Sequence, residues 1–237
     1  MTSEANMKRV VILGSTGPEI VKLLDARKAM GINDVHLLGF LDDDQARHGA
    51  TFMGLPVLGG SGLLRSTYAD CWVINNVART TSSRWKVWRK LQELDARSFT
   101  AIHPTVDTAY VEVGAGCILQ EGVILGAGAR IGAQSLVSFK VVVAHESEVG
   151  ECCFLSPGVC INGRVKIEKG AFIGSGAIIL PDVKVGAWSV VGAGSVVTND
   201  VPPYSTVFGA PARVIMVRKP DEGLEQVCTT FMEKSSS

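Results

Sequence analysis

The 237-residue sequence carries no surplus of either charge, with 23 Lys and Arg against 23 Asp and Glu. That balance leaves no electrostatic footprint for nucleic acid or an anionic membrane, and neither is expected as a partner. No apolar run reaches the roughly 20 residues that cross a bilayer. The opening Met1-Thr-Ser-Glu-Ala-Asn-Met-Lys-Arg lacks the apolar core of a signal peptide, so a cytoplasmic chain is expected. The six cysteines include no C-x-x-C pair, and a disulfide between the vicinal Cys152 and Cys153 would be strained. Buried, reduced thiols acting as small hydrophobes are expected instead. Aromatic residues are scarce at 6%, whereas glycine is abundant at 26 residues, which points to many tight turns and small-residue packing sites.

The first hundred residues alternate between two patterns. Lys8 to Gly14 is a short apolar strand ending in glycine, followed by the turn Ser15 to Glu19 with Pro18 suited to open a helix. Ile20, Val21, Leu23 and Leu24 give that helix its apolar face, and Gly31 ends it. Val35 to Leu41 reads as a second strand, followed by Asp42 to Asp44. Pro56 to Gly60, a helix near 61–67, a strand Cys71 to Ile74 and a helix from about Ser83 to Glu93 continue the alternation. Residues 1–100 therefore predict an α/β Rossmann-like domain with a small parallel sheet.

From His103-Pro104 a different period takes over. Val113, Leu119, Leu125, Ile131, Val137, Val143, Val149, Leu155, Ile161, Ile167, Ile173, Ile179, Val185, Val191 and Val197 form an unbroken series of aliphatic residues six apart. Two positions before each stands a small residue, only Val, Cys, Ala or Ser. Six matches neither the 3.6 of a helix nor the spacing of hairpins. It matches a triangular coil in which each hexad supplies one strand and one corner, with the aliphatic residue inside and the small one letting the chain turn. Glycines just after many aliphatics (Gly114, Gly126, Gly132, Gly150, Gly174, Gly186, Gly192) suit corner backbone angles. Residues 101–217 thus predict an all-β left-handed parallel β-helix. Asp200 to Ser205 breaks the register with two prolines, 207–217 returns extended, and 218–237 is a tail expected to hold a short helix.

Chemistry-bearing residues are few. Of four histidines only His145 lies within the repeat, and period alone does not fix whether it points in or out. Glu146 follows it. A solvent-reachable imidazole beside a carboxylate is the equipment of a general base. Such a dipeptide is more often plain surface, and its place in a small, apolar repeat is what favours the functional reading. The turn Gly14-Ser15-Thr16-Gly17 before a helix offers backbone N–H groups to an anion, or it is simply structural. It is not the full G-x-G-x-x-G fingerprint, because Ile20 stands at the third glycine. Asp42 to Asp44 are placed to accept from a ribose or base, or they form a solvated charge run.

The segments Gly174 to Pro181, Val191 to Val197, Asp200-Val-Pro and Gly209-Ala-Pro-Ala resemble the hexapeptide-repeat acyltransferase superfamily. Gly39-Phe-Leu-Asp-Asp-Asp, Gly54-Leu-Pro-Val-Leu-Gly and His145-Glu146 narrow the resemblance to the bacterial nucleotide-sugar N-acetyltransferases of bacillosamine, perosamine and sialic-acid pathways, over roughly residues 8–217. The resemblance implies a homotrimer using acetyl-CoA, without metal, to acetylate the amine of a UDP-, GDP- or dTDP-linked amino sugar. His145 would match the family's base and Glu146 the acid supporting it. Gly163 would match an oxyanion-type donor, Ser175 and Ala193 positions along the pantetheine arm, and Phe154 a position helping to form the acetyl-CoA site. Gly14, Ser15, Thr16, Asp42, Asp43 and Asn75 would match nucleotide contacts. Two departures stand out: Pro18 and Glu19 replace the family's common His-Gly, and Phe154 replaces a histidine. O-acetylation, transfer of a longer acyl chain, and a non-catalytic trimeric scaffold are the alternatives. A γ-type carbonic anhydrase needs three histidines around one metal and is set aside.

Overall fold

The computed structural model describes residues 7–78 and 80–219. The expected tail helix and Cys228 lie outside the described residues. The first strand, β1 (Lys8–Leu13), is fully buried from Val10 to Ile12, as its continuous apolar run requires. It pairs in parallel with β2 (Val35–Leu41) on one side and β5 (Trp72–Asn75) on the other. Between β1 and β2 runs α1 (Glu19–Ala29), opened by Pro18 and followed by Gly31 in the left-handed region at φ +82°. β3 (Thr51–Phe52) and β4 (Leu55–Gly59) form a hairpin on the β2 edge. β6 (Arg97–Ser98), which carries no apolar run, adds a parallel strand beyond β5. The sheet order is β3-β4-β2-β1-β5-β6. The stretch near 61–67 is a short 3-10 helix, Ser61–Arg65, whereas α2 (Thr81–Glu93) is a full α-helix capped by Thr80. Strand order reverses between β1 and β5, so a crevice opens at their carboxyl ends.

The repeat forms fifteen two-residue strands, from Glu112–Val113 to Val196–Val197, among the described residues. They stack as three parallel faces, each strand pairing with the one a coil away, as Val143 does with Ile161. A left-handed β-helix with an N-terminal α/β domain is the result. Both six-residue registers point inward: the aliphatic row and the small row together make one core. Where the small residue is polar it serves the wall. Ser135 Oγ donates to Gly150 O at 2.8 Å, Ser147 Oγ to Asn162 O at 2.7 Å, and the Cys153 thiol to Glu168 O at 3.2 Å. Such bonds satisfy carbonyls that the corners expose.

The corner glycines need a correction. Those directly after the aliphatics do not adopt left-handed angles. They are glycines because the next coil passes too close: a Cβ on Gly132 would lie 2.5 Å from Gly150 C, and one on Gly186 2.4 Å from Pro203 N. The left-handed residue comes two positions later, once per hexad from Tyr110 to Gly194, and several of these are not glycine, including Gln134, Glu146, Arg164 and Trp188. Each such residue carries modest backbone strain that the stacked coils must hold in place.

The outward side chains differ by face. One face is a charge ladder in which Arg130 sits between Glu112 and Glu148, and Lys166 reaches Glu148 at 3.5 Å. A second carries Ile118, Leu136 and Phe154, which join the α/β core alongside Ile20, Leu23 and Phe99. The third shows Ile124, Val142, Cys160, Ile178 and Val196, with Ile124 61% exposed. Residues 205–209 and 212–217 close the last coil as an antiparallel hairpin. No helix among the described residues is long and apolar enough to cross a membrane.

Candidate active site

His145 and Glu146 occupy the corner between the open apolar face and the charged face. Glu146 takes the left-handed turn at φ +57°, and this turns His145 outward rather than into the core. The imidazole is 56% exposed, and its Nδ1 lies 3.3 Å from Glu146 Oε2. The ring rests against Gly163, one coil on, where a Cβ would come within 2.6 Å of Nε2 and 2.7 Å of Cε1. Only glycine there leaves the ring its seat. Among the described residues the Gly163 N–H has no hydrogen-bond partner, so it remains available as a donor. A notch of about 680 Å³ opens beside Glu146, framed by Gly128 and the exposed Tyr110.

Ser175 and Ala193 stack one coil apart on the next corner, across the open apolar face from His145. That corner is bare backbone: Gly176 and Gly194 turn left-handed, and a Cβ on either would meet nothing within 4 Å. Phe154 is elsewhere. It stacks on Phe172 with centroids 5.3 Å apart, on the face packed against the α/β domain. Within one chain it does not approach Gly163.

At the crevice, Gly14 is left-handed at φ +98°, and the turn after it is held from both sides. Asp42 Oδ2 accepts from Ser15 N at 2.9 Å and from Ser15 Oγ at 2.5 Å. Asn76 Nδ2 donates to Thr16 O at 2.6 Å and Gly14 O at 3.2 Å. Burial acts to raise the Asp42 pKa, but the Ser15 hydrogen bonds, the Asp44 amide and the Arg47 charge together outweigh it and leave the carboxyl below its usual value. Beside this turn lies a cavity of about 490 Å³ lined by Thr16, Gly17, Arg47 and Phe52. Arg47 Nη1 donates to Ser15 Oγ at 3.2 Å. Neither Arg47 nor Phe52 stands in a motif, which is why sequence alone passes them over.

Two expected nucleotide contacts are engaged elsewhere. Asp43 accepts from Ser61 N and Oγ at 2.7 and 2.6 Å and faces Lys90 at 3.7 Å. Asn75 is completely buried and donates to Gln134 Oε1 at 3.1 Å. It belongs to the junction between the domains, whose centre is Arg84. That guanidinium is buried and donates to the carbonyls of Gln134, Asn75 at 2.6 Å and Gly116 at 3.3 Å. Burial without a carboxylate partner lowers its pKa to about 10. The nearby Cys117 and Cys152 thiols are pushed up by burial to about 11 and about 12, so they stay protonated and unreactive.

Residues 164–199 match the family described as bacterial transferase hexapeptide (six repeats). No curated protein matches the chain. Among solved structures, PerB from Caulobacter crescentus, in complex with CoA and GDP-perosamine, is 29% identical over 87% of this chain and 97% of its own, with a TM-score of 0.78. WeeI from Acinetobacter baumannii AYE is 27% identical, with 88% and 100% coverage and a TM-score of 0.75. The acetyltransferase domain of PglB from Neisseria gonorrhoeae FA1090 shares the fold at 23% identity, with 88% and 100% coverage and a TM-score of 0.79. The chain thus carries the bacterial transferase hexapeptide signature over residues 164–199 and is built over most of its length like the nucleotide-sugar N-acetyltransferases among these structures.

Proposed function

We propose that the protein is an acetyl-CoA-dependent N-acetyltransferase acting on a nucleotide-linked amino sugar. The observation that carries this is the exposed His145–Glu146 pair seated on Gly163, at the edge of an open face of small and aliphatic residues. PerB, at 29% identity, was solved with CoA and GDP-perosamine, and a histidine-to-asparagine variant of the same enzyme with the same two molecules. The bare Gly176 and Gly194 corner beside Ser175 and Ala193 fits a slim pantetheine arm, since no side chain stands where it would lie.

Acetyl-CoA supplies the acetyl group as a thioester. Glu146 accepts from His145 Nδ1–H, fixing the tautomer and leaving the Nε2 lone pair free. His145 takes a proton from the sugar amine as its nitrogen bonds to the thioester carbonyl carbon. As the carbon–sulfur bond breaks, His145 returns that proton to the departing thiolate. The Gly163 N–H donates to the carbonyl oxygen as it gains charge, an effect typically worth about 3 kcal/mol. The cavity at Gly14 to Gly17, with Arg47 and Phe52, holds the nucleotide.

His145 and the Ser175–Ala193 corner lie at opposite edges of an uncovered apolar face that a neighbouring copy would cover. These features support a homotrimer with each site completed by a neighbour, in keeping with a cytoplasmic enzyme. Light scattering is expected to give three chain masses.

The test is CoA release on incubating acetyl-CoA with GDP-, UDP- and dTDP-linked amino sugars. One of them should be turned over, and His145→Ala should slow it about 10³-fold with an unchanged melting temperature. No turnover of any amino-sugar nucleotide would sink the reading in favour of a scaffold. Acylation of a hydroxyl, or preference for a longer acyl-CoA, would redirect it within the same chemistry.

A further inference from the structure

Next to the His145–Glu146 pair stands an ion pair that the reaction does not need. Glu146, Arg164 and Asp182 occupy the same left-handed corner position on three successive coils. Stacked strands are about 4.8 Å apart, so Arg164 sits between two carboxylates at equal rise. It is committed to only one of them. Arg164 Nε and Nη2 meet the two Asp182 oxygens at 2.7 and 2.8 Å, a bidentate fork. Among the described residues the Glu146 carboxylate hydrogen-bonds only to His145, and the Arg164 charge acts on it through space.

We propose that Asp182 is a positioning residue: it holds the Arg164 guanidinium on the far coil and so leaves the Glu146 carboxylate to His145. The inference rests on His145 being the base, but its geometry does not. A guanidinium released from Asp182 has a second carboxylate one coil back, and a two-bond fork outcompetes the single 3.3 Å contact from an imidazole. Glu146 would then stop orienting Nδ1, and a cation would stand where the imidazolium must form.

The charged and titratable groups around the ring come from every neighbouring coil. Glu146 is on its own corner, Arg164 and Asp182 follow, and Tyr110 and Glu112 lie across the notch on the preceding coils. Glu148, on the adjoining face, is taken up by Arg130 and Lys166. Of these groups, Arg164 is the cation stacked directly on the coil after Glu146.

The experiment reads both the ring and the reaction in Asp182→Asn, Arg164→Gln and the double variant. The ring is followed by NMR titration of His145, assigned by the signal lost in His145→Gln. In Asp182→Asn the His145 midpoint should fall by about one pH unit, and the plateau kcat should drop about tenfold with KM for acetyl-CoA unchanged. The double variant has no competing cation and should recover both readouts to those of Arg164→Gln. A wild-type midpoint and plateau in Asp182→Asn would overturn the proposal. So would a double variant as depressed as Asp182→Asn, because the effect would then be the lost charge alone. If the wild-type chain turns over no amino-sugar nucleotide, the function fails while the titration still decides the role of Asp182.

Discussion

The crevice at Gly14 and the corner at His145 both gather polar side chains on parallel scaffolds, yet they use them in opposite ways. At the crevice the acceptors are already engaged: Asp42 holds Ser15, Asp43 holds Ser61, and Asn76 ties the turn. The turn is shaped in advance, and the cavity beside it is lined by the turn together with Arg47, Phe52 and Val57. At the corner, among the described residues, the His145 and Glu146 side chains hydrogen-bond only to each other, and both are more than half exposed. On the proposed function the crevice is a finished receptor, whereas the corner is half of a site that a substrate and a neighbouring copy would complete. A finished receptor loses affinity when its internal ties are cut. A half-built site loses rate when its geometry moves.

The sharpest break in that comparison should come from Gly163→Ala. The new Cβ would lie 2.6 Å from Nε2, and the atom it strikes is the end of a mobile, exposed ring rather than backbone. The ring should swing aside without strain on the wall. Displacing a reacting group by about 1 Å can lower the rate about 10²-fold. Turnover should therefore fall by that order while the melting temperature holds. Loss of stability with proportionate loss of activity would show that Gly163 serves packing and not the ring.

How much of this was legible in the sequence depends on which force set each residue. The aliphatic hexads were visible because a dry interior admits nothing else at that period, and each of the fifteen repeat strands falls on one of them. The left-handed positions were not visible. Glycine appears in this chain for two reasons, close packing one residue past the aliphatic and backbone angle two residues later, and residues such as Trp188 and Gln134 fill the second role. His145 was visible as a residue but not in its direction, which the angle at Glu146 decides. Asn75 and Asn76 show the limit at its finest: neighbours at a strand end point opposite ways, so one enters the junction and the other the crevice. Arg84 was hidden because an arginine on a helix with Lys86, Arg89 and Lys90 reads as surface. Only the fold brings the carbonyls of Asn75, Gly116 and Gln134 around it.

A smaller effect is expected on the other side of the comparison. Asp42→Ala removes the acceptor of both Ser15 bonds, and an abandoned partner of this kind costs about 1–3 kcal/mol. Nucleotide-induced thermal stabilisation should weaken accordingly, with kcat at saturating substrate nearly unchanged. The pH dependence has a definite sign. Because the folded Asp42 pKa lies below its ordinary 3.8, the tie is fully present above that value and is lost only as pH falls through the lower folded one. Nucleotide binding should thus show no Asp42 transition near neutrality. A transition in that range that Asp42→Ala abolishes would contradict this account.

The smallest effect should come from the wall itself. Ile161 is fully buried between Val143 and Ile179 in the stack beneath the open apolar face, two residues before Gly163 on the same coil. Ile161→Val removes one methylene from a closely packed row and should cost about 1 kcal/mol of stability. The hydrogen-bonded ladder on either side is unchanged, so the corner should keep its place and turnover should stay within twofold at temperatures well below melting. The contrast with Gly163→Ala is the informative quantity. Two residues apart, one change should lower stability and spare the rate, and the other should lower the rate and spare stability. If Ile161→Val slowed the reaction as strongly as Gly163→Ala, the wall would be tuning the ring through small shifts, and the corner could no longer be treated as a site merely mounted on a rigid scaffold.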